Sequence, residues 1–162
     1  MSVVIGIDPG LANTGYAVVE GGGSRTRLLT HGLIRTEPAT PHARRLRALH
    51  DGIATVVAEH AVESAAIESW FVHPVSKAAM GMAEARGAVL VAIAGRGLDV
   101  EEYSPNSIKQ AVTGSGRADK AQVRTMVNRL LGAALTSDHT ADAAAVAICH
   151  LGSAPLRRAI GG

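Results

Sequence analysis

Asp8 closes "VVIGID", an almost unbroken apolar run, with no cation beside it and a Pro-Gly turn directly after it. Such a run reads as a strand buried on both faces. An unpaired carboxylate driven to the end of a buried strand is costly unless a cation neutralises it or the strand ends in solvent. Glu68 stands in the same relation to a second short apolar run, "SAAIES". His139 and Asp142 are three residues apart in "HTADAAAVAICH", hence on one helix face, and the alanines around Asp142 leave it little covering bulk. Each acid alone has an ordinary reading: Asp8 as a turn residue, Glu68 as a solvated strand end, Asp138 and His139 as helix-start groups. Gathered together, these side chains would repel one another until a cation or a proton relieved them. Oxygen-rich sets with an occasional imidazole suit Mg2+ or Mn2+, and paired ions of that kind cut phosphodiesters.

The elements that must position these groups follow from pattern. "TGYAVVE" and "RTRLLTHGLIRT" read as two further strands joined at "GGGS", giving an antiparallel meander over about residues 3–36. Leu46, Leu49, Ile53, Val56 and Val57 recur at helical spacing between Ala43 and His60. The strand ending in Glu68 comes next, then a helix of small residues over 75–97 and a strand at "LDVEEYS". Ser104 with Pro105 starts a helix, "TGSGRA" is a flexible loop, and Asp119 opens the next helix. A last helix begins at Ser137 or Asp138 and contains Cys149 as core; "GSAPLRRAIGG" reads as a frayed tail. Three strands followed by alternating helices and strands give a mixed α/β sheet with parallel crossovers. In such sheets ligands collect beyond the carboxyl ends of the strands, where Asp8 and Glu68 fall.

The totals narrow the classes. With 162 residues, 47% hydrophobic and 19% charged, the chain is one globular domain of ordinary composition. No apolar run reaches the roughly 18 residues of a membrane span, and no secretory leader is visible. One cysteine cannot form an internal disulfide, which points to a reducing cytoplasm. A net charge of +2 says little, but Ser104–Ser137 holds five basic residues against Asp119 alone, a surplus suited to phosphates.

"GIDPGLANTGYAVVE", "AIESWF", "MAEARGAVLVA", "EYSPNSIKQAVTGSGRADKAQV" and "HTADAAAVAICH" together resemble the RuvC family of bacterial Holliday junction resolvases, in the family's order and spacing over about residues 3–151. The resemblance implies an RNase H-like fold, a five-stranded mixed sheet with helices on both faces, spanning 1–152 with a flexible tail at 153–162. It implies a homodimer that nicks two strands of a four-way DNA junction, with the RuvA and RuvB branch-migration proteins as partners. It also implies that Asp8, Glu68 and Asp142, with His139 in a fourth position where many members carry Asp, form the catalytic and metal-binding set. Two Mg2+ per site are expected, with Mn2+ as substitute and favoured by the imidazole. One ion would lie with Asp8, Asp142 and His139 at the attacking water, the other between Asp8 and Glu68 at the leaving oxygen.

Lys109 and Lys120 match positions where the family places DNA-contacting lysines, and Phe71 matches its junction-wedging aromatic. Arg117 joins them as a backbone contact beside the Gly114–Gly116 loop, while Arg124 and Arg129 read as a solvated helix face. Trp70 reads as core, the Arg44, Arg45 and Arg47 cluster as surface or a backbone contact, and Ala78, Ala79, Gly81, Ala83 and Ala85 as a dimer face or as packing of that helix on the sheet. Rival readings are an actin-like ATPase, for which the chain is too short, a smaller RNase H-like nuclease of ribosomal RNA maturation, and a catalytically idle DNA-binding scaffold.

Overall fold

The N-terminal apolar run forms β1 (Ser2–Asp8), which pairs antiparallel with β2 (Asn13–Gly22), itself antiparallel to β3 (Arg25–Arg35). After α1 (His42–Glu59), β4 (Ser64–Glu68) lies parallel on the other edge of β1, and after α2 (Lys77–Ala94), β5 (Val100–Tyr103) lies parallel to β4. The sheet order is β3-β2-β1-β4-β5, and α3 (Pro105–Thr113), α4 (Lys120–Leu131) and α5 (Asp138–Ile160) complete the chain. This is the five-stranded mixed sheet with helices on both faces expected from the sequence. The computed structural model describes residues 1–22, 24–70 and 75–160, the last seven by backbone alone; the "GGGS" turn reaches residue 23, outside that range.

Strand alternation divides the core. Ile5, Ile7, Val18 and Ala65 pack with Ile53, Val56 and Val57 of α1 and Val89, Ala92 and Ile93 of α2. On the opposite face, Ala17 and Ala66 meet α5 and the α3–α4 pair, and Val4 and Val19 meet Ala147. That second face carries the small residues. A Cβ on Gly6 would lie 2.0 Å from the Ala143 carbonyl oxygen, and one on Gly15 would lie 2.4 Å from that of His139. Two strand glycines therefore let α5 press its His139–Ala143–Ala147 ridge directly onto the backbone of β1 and β2. At the far end of the sheet, buried His150 pins α5, with Nδ1 3.0 Å from the Tyr103 hydroxyl and Nε2 3.0 Å from Ser64 Oγ.

Ser104 and Asp119 cap α3 and α4 as expected, the latter in a capping box with Gln122. The connection between those helices is not slack. Gln110 accepts the Gly116 amide at 3.1 Å and donates to the Gly114 carbonyl at 3.0 Å, while Gly114 takes φ 80° to end α3. The small-residue helix divides between its two readings. Gly81 and Ala85 are buried against their own chain, so the outward side of α2 carries Met80, Ala83 and Val91. Finally, α5 stays helical to Ile160, so the backbone of 153–160 continues a helix where fraying was expected. Leu156, Arg157, Arg158 and Ala159 are good helix formers, and that propensity outlasts the breaks signalled by Gly152 and Pro155.

Candidate active site

Asp8 and Glu68 reach the same rim because β1 and β4 run parallel in the register Ile7↔Ile67, each ending one residue later. Both side chains fall on the face that carries α5. The loop after Asp8 is fixed: Thr14 donates to the Gly10 carbonyl at 2.8 Å and Thr36 to that of Leu11 at 2.5 Å. Arg45 in turn donates to Thr36 Oγ1 at 2.9 Å, which makes it a brace behind the loop. Its neighbour Arg47 pairs with Asp51 at the surface.

The close approach of α5 delivers the other two groups. His139 Nδ1 lies 2.8 Å from Asp8 Oδ2, and Asp142 Oδ2 lies 3.1 Å from the Lys120 ammonium. Glu68 stands between two cavities. One, about 210 Å3, is shared with Asp8, Pro9, Trp70, Met82 and Arg86. The other, about 250 Å3, is shared with Asp142, Lys109 and Lys120. A roomier hollow of about 600 Å3 lies beside Arg117 on the α3–α4 turn, where the one acid is the capping Asp119, so volume does not mark the chemistry here.

The electrostatics reflect this crowding. Burial raises the Asp8 carboxyl above its ordinary range; the His139 hydrogen bond pulls it back, and the charge of Asp142 pushes it up again. Glu68 is raised by burial first, then by Asp142 and Asp8, against the pull of Lys109 and Lys120. For Lys120, burial is the largest influence and acts downward, but the Asp142 hydrogen bond and the charges of Asp142, Asp138 and Asp8 together hold it above the usual lysine value.

Among the described residues, no three acidic, histidine or cysteine side chains are drawn tightly enough together to form a ready coordination shell. His139 leans on Asp8 and Lys120 covers Asp142. The donor set nevertheless fits a hard divalent cation. It is oxygen-rich, its carboxylates raise one another's proton affinity, and the Lys120 ammonium already sits where positive charge is needed.

The structure thus brings Asp8, Glu68, His139, Asp142, Lys109 and Lys120 to one rim. Arg117 is exposed and lines neither carboxylate cavity, and Phe71 lies outside the described residues. Trp70, expected in the core, is half-buried on the Asp8–Glu68 cavity wall. Arg124, read as a solvated face, pairs with Asp138 at 3.0 Å. Arg86 was missed: it donates to the Glu68 carbonyl at 2.9 Å and to Glu102 Oε1 at 2.7 Å. Its sequence signal is slight, an arginine two residues after Glu84 at the head of the small and apolar run 87–94. The glycines opposite α5 carried a signal too, since a glycine inside a strand pattern marks a close backbone approach.

The family model "Crossover junction endodeoxyribonuclease RuvC" matches residues 4–150. The curated crossover junction endodeoxyribonuclease RuvC of Halorhodospira halophila is 45% identical, covering 100% of this chain and 98% of its own. That of Zymomonas mobilis is 44% identical over 91% and 89%. Among solved structures, Thermus thermophilus RuvC in complex with a Holliday junction substrate superposes with TM-score 0.90 at 35% identity, over 96% of both chains. A family model over residues 4–150 and relatives 44–45% identical across nearly the whole length show that the chain belongs to the RuvC family of crossover junction endodeoxyribonucleases.

Proposed function

We propose that this enzyme resolves four-way DNA junctions in recombination and repair by paired, symmetric nicks, using metal-dependent phosphodiester hydrolysis at the Asp8–Glu68–Asp142 rim. The observation that carries the reading is the convergence of three carboxylates from two strand ends and one helix, with Lys109 and Lys120 on the same cavity wall. Asp8, Glu68 and Asp142, with His139, would hold two Mg2+, replaceable by Mn2+, which would supply an activated water and neutralise charge at the phosphate.

The protein's own groups do the positioning. His139 fixes the Asp8 carboxylate through their 2.8 Å hydrogen bond. Lys109 and Lys120 take the phosphates flanking the cut, and the braced α3–α4 turn sets Arg117 further along the backbone. Trp70 on the cavity wall supplies aromatic surface for unpaired bases, and Phe71, next in the sequence, is the aromatic that the family resemblance assigns to that role, each stacked base being worth about 1–3 kcal/mol.

Two symmetric cuts require two symmetric sites, and the outward side of α2 offers the contact. Met80 is 56% and Val91 62% exposed, and a Cβ on Gly87 would meet nothing within 4 Å. These three, with Ala83, are spaced as one helical stripe, through which a homodimer forms. The RuvA and RuvB proteins are its partners by family, and the cytoplasm its compartment; among the described residues no helix is long and apolar enough to cross a membrane.

The test is a synthetic four-way junction offered beside a linear duplex of the same sequence, with Mg2+ or Mn2+. The junction is expected to be nicked to 5′-phosphate and 3′-hydroxyl ends, the duplex spared, and Asp8→Asn inert. A wild-type chain that cuts neither substrate with either ion would refute the reading, and ATP turnover would favour the actin-like ATPase rival.

A further inference from the structure

The main-chain carbonyl of Glu68 has a hydrogen-bonding problem that the sheet cannot solve. The Ser69 amide donates to the Tyr103 carbonyl at 2.7 Å, so the strand's polar groups at residue 69 face β5. Amide and carbonyl of successive residues point to opposite sides of a strand, so those of Glu68 face β1. The β1–β4 register runs Ile5↔Ala65, Gly6↔Ala66, Ile7↔Ile67. Continued in the same parallel phase, it offers the Glu68 carbonyl the amide of residue 9. That residue is Pro9, which has no N–H. A carbonyl left without its ladder donor beside a buried carboxylate is costly and leaves the end of β4 free to twist.

Arg86 fills the gap. From α2 its Nη1 donates to that carbonyl at 2.9 Å, while Nη2 holds Glu102 Oε1 on β5 at 2.7 Å; its side chain is 13% exposed. A planar guanidinium can serve both acceptors at once from a fixed geometry, which a lysine ammonium on its flexible stem cannot. The fork thus ties three elements, α2, β4 and β5, at the residue whose side chain faces Asp8 and Asp142. It is also among the residues that line the Asp8–Glu68 cavity. Its hydrogen bonds go to the Glu68 main chain and to Glu102 on β5, so its hold on the site runs through the backbone.

Resting on the nuclease reading above, we infer that Arg86 is a positioning residue for Glu68, replacing the donor that Pro9 withholds and fixing the end of β4 so that the Glu68 carboxylate is aimed for cation binding. The residue acts on metal affinity and turnover, not on DNA binding. Because α2 also carries the proposed dimer face, the same fork links that face to the catalytic rim.

Arg86→Met removes both donors while keeping an apolar stem, and Arg86→Lys retains the charge but only one donor nitrogen; if the Met variant does not fold, the Lys variant carries the test. Junction binding is measured in chelator, Mn2+ binding by calorimetry on protein alone, and kcat and KM on a four-way junction. Outer-shell partners of ligating carboxylates typically contribute about 10- to 100-fold. The expected result for Arg86→Met is a loss of that order in kcat and weaker Mn2+ binding, with KM and junction affinity unchanged and partial recovery in Arg86→Lys. Wild-type kcat and Mn2+ affinity in either variant would overturn the inference, as would a change confined to KM or junction affinity. If the wild type itself failed to cut, the nuclease reading would fall, and the Mn2+ arm would still decide whether Arg86 aims Glu68.

Discussion

At the scale of single residues, the site stores electrostatic strain that the folded chain tolerates for use. Burial and mutual repulsion raise Asp8 and Glu68 above their ordinary 3.8 and 4.5. Through the window from those values up to the raised ones, the folded state binds more protons than the unfolded one. Stability therefore falls as pH rises through the window and stays lower above it. Glu68→Gln removes the charge while keeping the shape. In chelator at neutral pH this variant is expected to melt above the wild type, the difference closing as pH falls below the window; calorimetry across that range reads the sign. The same variant abolishes cutting. Lys109→Ala and Lys120→Ala each reduce the slope of log affinity against log salt by about one, the signature of one phosphate contact apiece. An unchanged slope would remove either lysine from the DNA interface.

At the scale of elements, the active site depends on how closely α5 meets the sheet. A Cβ at Gly15 collides with backbone and Cβ of His139, none of which can rotate away. Gly15→Ala must displace the start of α5, at a cost of about 1–3 kcal/mol. In a chain of this length that lowers Tm by about 2–4 °C per kcal/mol. The displaced helix also carries His139 away from Asp8, so turnover falls along with stability. Denaturant melts and junction cleavage check both. Much of this layer was legible in the sequence, because its signals are local. Apolar runs gave β1 and β4, the Leu46–Val57 periodicity gave α1, and Ser104 and Asp119 announced the helices they cap. What escaped was relational. Nothing local says that Gly6 and Gly15 face one helix, or that Pro9 leaves Glu68 short of a donor that Arg86 supplies. The alanines and glycines of α2 have too little contrast to show which side is inward, so for Gly81 and Ala85 a dimer face and packing on the sheet are equally legible. The acids were found because their conjunction at two strand ends and one helix face is rare, although each alone is ordinary.

At the scale of the whole molecule, the proposed dimer would join two catalytic rims through α2. Met80→Asp with Val91→Asp places charge on the exposed stripe without touching the core; sedimentation should show a monomer that still binds junctions but leaves single nicks. The most direct measurement of the central claim uses a supercoiled plasmid that extrudes a cruciform, incubated with wild-type protein and Mg2+. Paired symmetric nicks across one junction linearise the circle, so linear DNA is the predicted product, absent with Asp8→Asn. Relaxed nicked circles as the persistent product, or an uncut plasmid in Mg2+ and Mn2+ alike, would contradict it.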